Sequence, residues 1–148
     1  MSLILRFSGD GLGVASKVIQ WATWSWCSHV EFEAPDGRLF GAIPGGGTSY
    51  RSVPKVPERR VERYRVIGGE KFEDAVWKNA LSQEKCPYDW TGVIGFGMHR
   101  DWAEEGDWFC SELVAWAYQV AGYPLLRADH AWRVSPRDLL MSPLLEEV

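Results

Sequence analysis

The sequence has little of what marks a membrane-spanning, secreted or nucleic-acid-binding chain. No apolar stretch approaches the roughly 20 residues needed to cross a bilayer, so any membrane contact would be peripheral. The first residues lack a basic segment followed by an apolar signal core. The net charge is −4, and no run of Lys or Arg is long enough to track a phosphate backbone. We therefore expect no transmembrane segment and no nucleic-acid partner.

Cysteine and histidine are also scarce. Cys27, Cys86 and Cys110 are an odd number without CxxC spacing, a usage typical of a reducing compartment, so we expect a cytoplasmic protein. Of the three histidines, His99 and His130 lie in predicted loops. Because no ligand spacing joins them to a cysteine, no metal site is expected.

The glycine-rich turn after the first predicted strand does not complete a nucleotide-binding motif. Residues 8–13 form neither the dinucleotide fingerprint nor the Walker pattern that ends in Gly-Lys-Ser/Thr, so we expect no cofactor. A chain of 148 residues suits one domain, residues 1–148, whose core is large enough to need no disulfide or metal.

Hydrophobic periodicity predicts short strands mixed with amphipathic helices. Strands are predicted at residues 3–7, 28–34, 39–43, 61–66 and 131–134, and helices at residues 14–25, 72–84, 107–122 and from 136 onward. A flexible loop is predicted at residues 44–49, followed by irregular chain or an edge strand over 50–57. Ser135 suits the N-cap of the last helix, with Pro136 at its first position.

The strand predicted at residues 28–34 alternates strictly between apolar and polar side chains. His29, Glu31 and Glu33 share its polar face. A polar strand face is usually solvated, and the alternation favours that interpretation. The same face would also suit the wall of a cleft in which the imidazole of His29 has a chemical role, so the strand alone leaves both interpretations open.

The helix predicted at residues 107–122 carries Cys110 at its start. Helical spacing places Leu113, Val114 and Ala117 on the same inward face as the sulfur. Unpaired backbone N–H groups and the positive end of the helix dipole favour a thiolate there. A free cysteine is also commonly a small buried apolar residue, and a nucleophile needs a base that the helix does not supply.

A cysteine at a helix start and an imidazole on a strand are the parts of a thiol hydrolase. His29 precedes Cys110, the reverse of the papain order, so a papain-like site requires a circularly permuted chain. The chain resembles the permuted papain-fold hydrolases related to NlpC-type peptidases, typified by the YiiX-like proteins and akin to the lecithin retinol acyltransferase group. The resemblance lies in residues 15–30, 87–89, 109–114 and 134–139.

This resemblance implies an α+β fold in which a small antiparallel sheet packs on the Cys110 helix. It implies Cys110 as nucleophile and His29 as base, acting on an amide, ester or thioester. It also suggests that the Tyr88 hydroxyl helps the Cys110 N–H to stabilise an oxyanion. The family position that orients the histidine falls near Gly41, which has no side chain. Glu31 is the best substitute, because residues two apart share a strand face about 7 Å apart.

Nine tryptophans are unusual in a chain of this size. Trp21, Trp24 and Trp26 lie in and after the first predicted helix. Aromatic side chains at helical spacing most often fill a core, and the alternative is contact with a sugar, lipid or acyl chain. The rival to a hydrolase is therefore a non-catalytic module that holds a lipid or peptide in a tryptophan-lined cleft, and the bare Gly41 is its main support. In either case we expect a small-molecule, peptide or lipid ligand.

Overall fold

One antiparallel sheet organises the fold. The computed structural model describes residues 2–9, 13–55, 58, 60–90, 108–127 and 134–148. Within them the strands are β1 (Ile4–Ser8), β2 (His29–Glu33), β3 (Leu39–Ile43), β4 (Gly47–Arg51), β5 (Val61–Val66) and β6 (Leu145–Glu147). The strand order is β4-β3-β2-β1-β5-β6, and each neighbouring pair is antiparallel. The strand that carries His29 is therefore an inner strand.

Helices pack against this sheet to give an α+β fold. In the described part of the chain they are α1 (Gly13–Thr23), α2 (Glu73–Ser82), α3 (Cys110–Val120) and α4 (Pro136–Leu140), with a 3₁₀ turn at Glu70–Phe72. Helix α3 packs on β2 and β3 and is flanked by α2 and α4. The helix predicted at residues 107–122 thus begins at Cys110, next to the strand that carries the histidine.

Aromatic side chains fix α3 against the sheet. Phe32 of β2 stacks on Tyr118 of α3 with ring centres 6.5 Å apart, and it meets Trp77 of α2 edge-on at 6.1 Å. Phe40 of β3 contacts the same Trp77 at 5.5 Å. Each fully buried ring of this kind contributes about 1.5–3 kcal/mol, so the start of α3 is held in a fixed place relative to β2.

Of the segment predicted as a flexible loop at residues 44–49, residues 44–46 form a turn, as predicted, but residues 47–49 begin the edge strand β4, where the prediction is wrong. Gly45 and Gly47 take positive φ angles of 76° and 63° and turn the chain tightly after β3. Thr48 N–H then donates to the Cys86 carbonyl at 2.8 Å, and Lys85 N–H donates to the Thr48 carbonyl at 2.7 Å. These backbone bonds to a distant segment order the strand, and periodicity within the loop does not report them.

Helix α4 begins as predicted. Asp138 N–H donates to Ser135 Oγ at 3.2 Å, and the Asp138 carboxylate accepts from Ser135 N–H at 2.8 Å. Of the strand predicted at residues 131–134, residues 131–133 lie outside the described residues, as does residue 107 of the predicted helix. Within the described part of the chain, every helix is too short or too polar to cross a bilayer.

Candidate active site

Cys110 is the first residue of α3. Phe109 before it is extended, with φ −89° and ψ 149°, and its N–H donates to Glu112 Oε2 at 3.3 Å. The Glu112 carboxylate thus caps the helix start, a structural role that suits an acid in the first turn. The Cys110 sulfur is 1% exposed and lies 4.0 Å from the Ser28 carbonyl oxygen, one residue before β2.

His29 begins β2, and neither of its ring nitrogens has a hydrogen-bond partner among the described residues. Its Nε2 is 3.3 Å from Glu31 Oε2. The side chains of Glu31 and His29 are 0% and 1% exposed, so this polar face is enclosed rather than solvated, and the interpretation that the alternation favoured is wrong. Ser28 is held on its other side by Ser16 of α1, whose hydroxyl lies 2.5 Å from the Ser28 hydroxyl.

Two arginines enclose the Glu31 carboxylate. Arg51 of β4 donates through Nε to Oε2 at 2.9 Å and through Nη2 to Oε1, and Arg6 of β1 approaches Oε1 at 3.4 Å. Glu58 pairs with Arg6 and lies 3.9 Å from Arg51, so the two arginines face two carboxylates. This balance allows charges to be buried here, since an unpaired buried charge is costly.

Sequence reasoning missed Arg6, Arg51 and Glu58. Arg6 alone offered a signal, because it is a charged residue in the middle of an otherwise apolar strand. Arg51 and Glu58 lie in a segment with no clear periodicity. The pairing of β4 with β3 places Arg51, and Glu58 follows beyond the end of β4.

Gly41 lies beside Glu31 on the neighbouring strand. A Cβ added at Gly41 would come within 3.0 Å of the Glu31 Cβ and 3.7 Å of the Val30 carbonyl oxygen. Contacts of 3.0 Å are tighter than side chains ordinarily tolerate. The glycine therefore makes room for Glu31, and a carboxylate from β2 occupies the region next to the position where the resemblance places an orienting residue.

The charges of this cluster support one another. Burial is the largest influence on the pKa of His29 and lowers it, but attraction to the Glu31 carboxylate and then to Cys110 outweighs burial and raises the pKa to about 10. Burial also works against the Glu31 carboxylate, yet His29 and Arg51 lower its pKa to about 2. The site therefore favours an imidazolium between a carboxylate and a thiol.

Tyr88 lies close to the same thiol. Trp108 N–H donates to the Pro87 carbonyl at 3.0 Å, and Asp89 N–H donates to the Trp108 carbonyl at 3.1 Å, which ties the Tyr88 segment to the residues just before Cys110. The Tyr88 hydroxyl is buried and has no hydrogen-bond partner among the described residues. Burial and then the nearby Cys110 raise the pKa of Tyr88, so its hydroxyl stays protonated.

The other two cysteines are free, as Cys110 is. Cys27 is fully buried, its sulfur lies 3.4 Å from the His29 carbonyl oxygen, and burial raises its thiol pKa. Cys86 is half-buried in the segment that pairs with Thr48. His99 and His130 lie outside the described residues, and within those residues no cluster of three or more His, Cys, Asp or Glu side chains is placed to hold a metal ion.

The comparisons with known proteins show a likeness of fold to a solved structure. No protein-family model matches the chain, and no curated protein matches its sequence. The crystal structure of metalloprotein YiiX from Escherichia coli O157:H7 is similar, with a TM-score of 0.74 and 20% sequence identity over 100% of this chain and 96% of that chain. Identity at this level shows that the two chains share a fold and does not by itself carry an activity from one to the other.

Proposed function

We propose that this protein is a cysteine hydrolase or acyltransferase with a permuted papain-like fold formed by residues 1–148 as one domain. One observation carries the proposal: Glu31 Oε2 lies 3.3 Å from His29 Nε2, and the Cys110 sulfur at the start of α3 lies 4.0 Å from the carbonyl oxygen of Ser28, the residue before His29. An imidazole between a carboxylate and a thiol is the arrangement that maintains a thiolate near neutral pH. The fold shared with YiiX agrees with the motif resemblance and supports the same class.

In the proposed reaction the Cys110 thiolate attacks the carbonyl carbon of an amide, ester or thioester. A carbon–sulfur bond forms, and the carbonyl electron pair moves to oxygen. When the tetrahedral species collapses, the bond to the leaving group breaks and His29 gives its proton to the departing nitrogen, oxygen or sulfur. In hydrolysis, water activated by His29 then releases the acyl group from Cys110. In transfer, another nucleophile accepts the acyl group instead.

The proposed oxyanion site consists of the Cys110 N–H and the Tyr88 hydroxyl. The first N–H groups of a helix have no acceptor within that helix, and Cys110 begins α3. The Tyr88 hydroxyl adds a protonated donor that the described residues leave unpaired. Donors already in place for a developing negative charge accelerate such reactions without any reorganisation.

Glu31 is the proposed orienting residue. Its bonds to Arg51 fix the carboxylate, whose Oε2 makes a 3.3 Å ion-pair contact with His29 Nε2 rather than a hydrogen bond. The bare Gly41 is then no argument against catalysis, because its missing side chain accommodates Glu31. The main support that the sequence offered for a non-catalytic module is thereby weakened.

A non-catalytic lipid- or peptide-binding module is the second candidate, and the burial of the pair favours it. Cys110 and His29 are each 1% exposed, whereas a reacting group must be reached by its substrate. A binding module needs only a cleft nearby, and its function does not require an accessible or reactive thiol.

Trapping of an acyl-enzyme separates the two candidates. The protein is incubated with ester, thioester and cell-wall peptide substrates, and its intact mass is measured. We expect an acyl adduct on the parent and on Cys86→Ala, and none on Cys110→Ala. If no substrate acylates the parent and Cys110 is alkylated no faster than Cys86 near neutral pH, the binding module is the correct assignment.

YiiX is described as a metalloprotein. The described residues of this chain offer no cluster of three or more metal-ligating side chains, so they do not fit a resident metal, and we derive no step through one. Each proposed step is assigned to Cys110, His29, Glu31 or Tyr88.

A further inference from the structure

Helix α1 and the residue after it expose an apolar stripe. Val14, Lys17 and Trp21 follow one another at intervals of three and four residues, so they lie along one side of the helix, and Trp24 is the first residue after its end. The three apolar members are 79%, 68% and 87% exposed. The opposite side is buried through residues such as Ile19. Two tryptophans this exposed add little to the core, although aromatic side chains usually fill one.

The backbone at Trp24 is unfavourable for a tryptophan. Its φ is 53°, in the left-handed region, and Ser25 N–H donates to the Gln20 carbonyl at 3.2 Å, which closes the helix end around it. Glycine usually occupies this position, because a Cβ is crowded there. A tryptophan in this strained conformation, with its ring exposed to solvent, indicates that the ring has a function.

Positive charge accompanies the stripe. Lys17 lies within it, and the exposed Arg137 of α4 donates through Nη1 to the Thr23 carbonyl at 2.7 Å, next to Trp24. Neither side chain forms a salt bridge with another described residue. The nearest acidic neighbour of Arg137 in sequence, Asp138, is engaged by Ser135 at the start of α4.

We propose that this stripe, with Lys17 and Arg137, docks on a lipid bilayer whose headgroups are anionic. Tryptophan prefers the boundary between headgroups and acyl chains. A helix with an apolar face and cations beside it lies in the plane of that boundary, and anionic lipids attract those cations. A second copy is less suitable, since a symmetric contact would bring each Lys17 and Arg137 toward the same charges.

This docking goes beyond the proposed hydrolase activity and does not need it, because none of the stripe residues belongs to the candidate active site. The two are nevertheless close in the fold: the buried side of α1 carries Ser16, which contacts Ser28 beside His29. A bilayer on the exposed side would thus be separated from the candidate site by the thickness of one helix, about 10 Å.

The test is vesicle flotation of the full chain carrying Cys110→Ala, so that failure of docking and failure of the proposed chemistry are distinguishable. Vesicles contain phosphatidylcholine with or without phosphatidylglycerol. We expect co-flotation with the anionic vesicles. Trp24→Gly should weaken partitioning about tenfold or more, because the ring is lost. Its melting temperature should not fall, because glycine suits a φ of 53°.

Two further variants complete the design. Lys17→Glu should weaken partitioning on the order of tenfold on the anionic vesicles only, since each cation near such a surface contributes roughly a fivefold effect. Val120→Ser, which replaces a 56% exposed apolar residue on α3, should bind as the parent does. Absence of flotation, parent-like binding by Trp24→Gly, or a change in the sedimentation coefficient of vesicle-free Trp24→Gly would overturn the proposal, the last outcome in favour of a second copy.

Discussion

Replacement of Glu31 by glutamine tests the network around His29. The change preserves size, but it replaces one acceptor oxygen by an amide donor and removes a negative charge from a side chain that is 0% exposed. Arg6 and Arg51 would then face only the Glu58 carboxylate. Burial, which lowers the His29 pKa, would act together with one uncompensated positive charge, so we expect that pKa to fall from about 10 to below its ordinary value of 6.5.

The magnitude follows from that pKa. A fall from about 10 to 6.5 corresponds to roughly 4–5 kcal/mol of lost attraction, at about 1.4 kcal/mol for each tenfold change in proton affinity. His29 would then be neutral near pH 7, and the Cys110 thiolate would lose its imidazolium partner. We expect the alkylation rate of Cys110 near neutral pH to fall about 10²-fold. Any turnover should fall about 10²- to 10⁴-fold.

The assay is the iodoacetamide alkylation rate as a function of pH, followed by intact mass. In Glu31→Gln the rate near neutral pH should fall below the parent's, because the imidazolium that favours the thiolate is lost. Glu33→Gln is the matched control, because Glu33 lies on the same strand face but pairs at the surface with Arg63 at 2.8 Å; its profile should equal the parent's. A parent-like profile in Glu31→Gln, at an unchanged melting temperature, would refute the proposed role of Glu31.

The same pair predicts how stability depends on pH. The His29 pKa is raised from 6.5 to about 10, so its stabilisation is complete below pH 6.5 and is lost as pH rises through about 10. The Glu31 pKa is lowered from 4.5 to about 2, so its stabilisation is complete above pH 4.5 and is lost as pH falls through about 2. In urea unfolding, the difference in unfolding free energy between parent and Glu31→Gln should therefore be largest between pH 4.5 and 6.5 and shrink on both sides. A difference independent of pH would contradict the ion pair.

Three further predictions concern single residues. Limiting iodoacetamide near neutral pH should label Cys110 before the other two cysteines; faster labelling elsewhere, with activity retained in Cys110→Ala, would show that the nucleophile is misassigned. Tyr88→Phe should lower kcat about 10²-fold without moving the alkylation profile, and full activity would exclude the hydroxyl from the oxyanion site. In thermal unfolding, Gly41→Ala should destabilise the fold by about 1–3 kcal/mol, because its Cβ would lie 3.0 Å from the Glu31 Cβ. Gly46→Ala is the control: its Cβ would have no neighbouring atom closer than 3.7 Å, so the loss of stability should be much smaller.

Local patterns were sufficient to predict the elements that carry the proposed pair. Strict alternation over residues 28–34 predicts the strand that became β2, and spacing of three and four residues after Cys110 predicts the helix that became α3. Both signals are local, because they depend on how each element divides its side chains between two faces. The cap formed by Ser135 and Asp138 at α4 is local in the same sense.

Tertiary structure decided what surrounds the polar face of β2. The sequence by itself determined that His29 and Glu31 share that face and lie about 7 Å apart along the strand, but it favoured solvent there. Rotation of the side chains brings Nε2 and Oε2 to 3.3 Å, and arginines from β1 and β4 enclose the carboxylate. Periodicity reports which face a residue takes, whereas the cover over that face depends on how the strands pair. Arg6 of β1 lies opposite Glu31, 25 residues later in the chain, and β4 brings Arg51 to the site through its hairpin with β3.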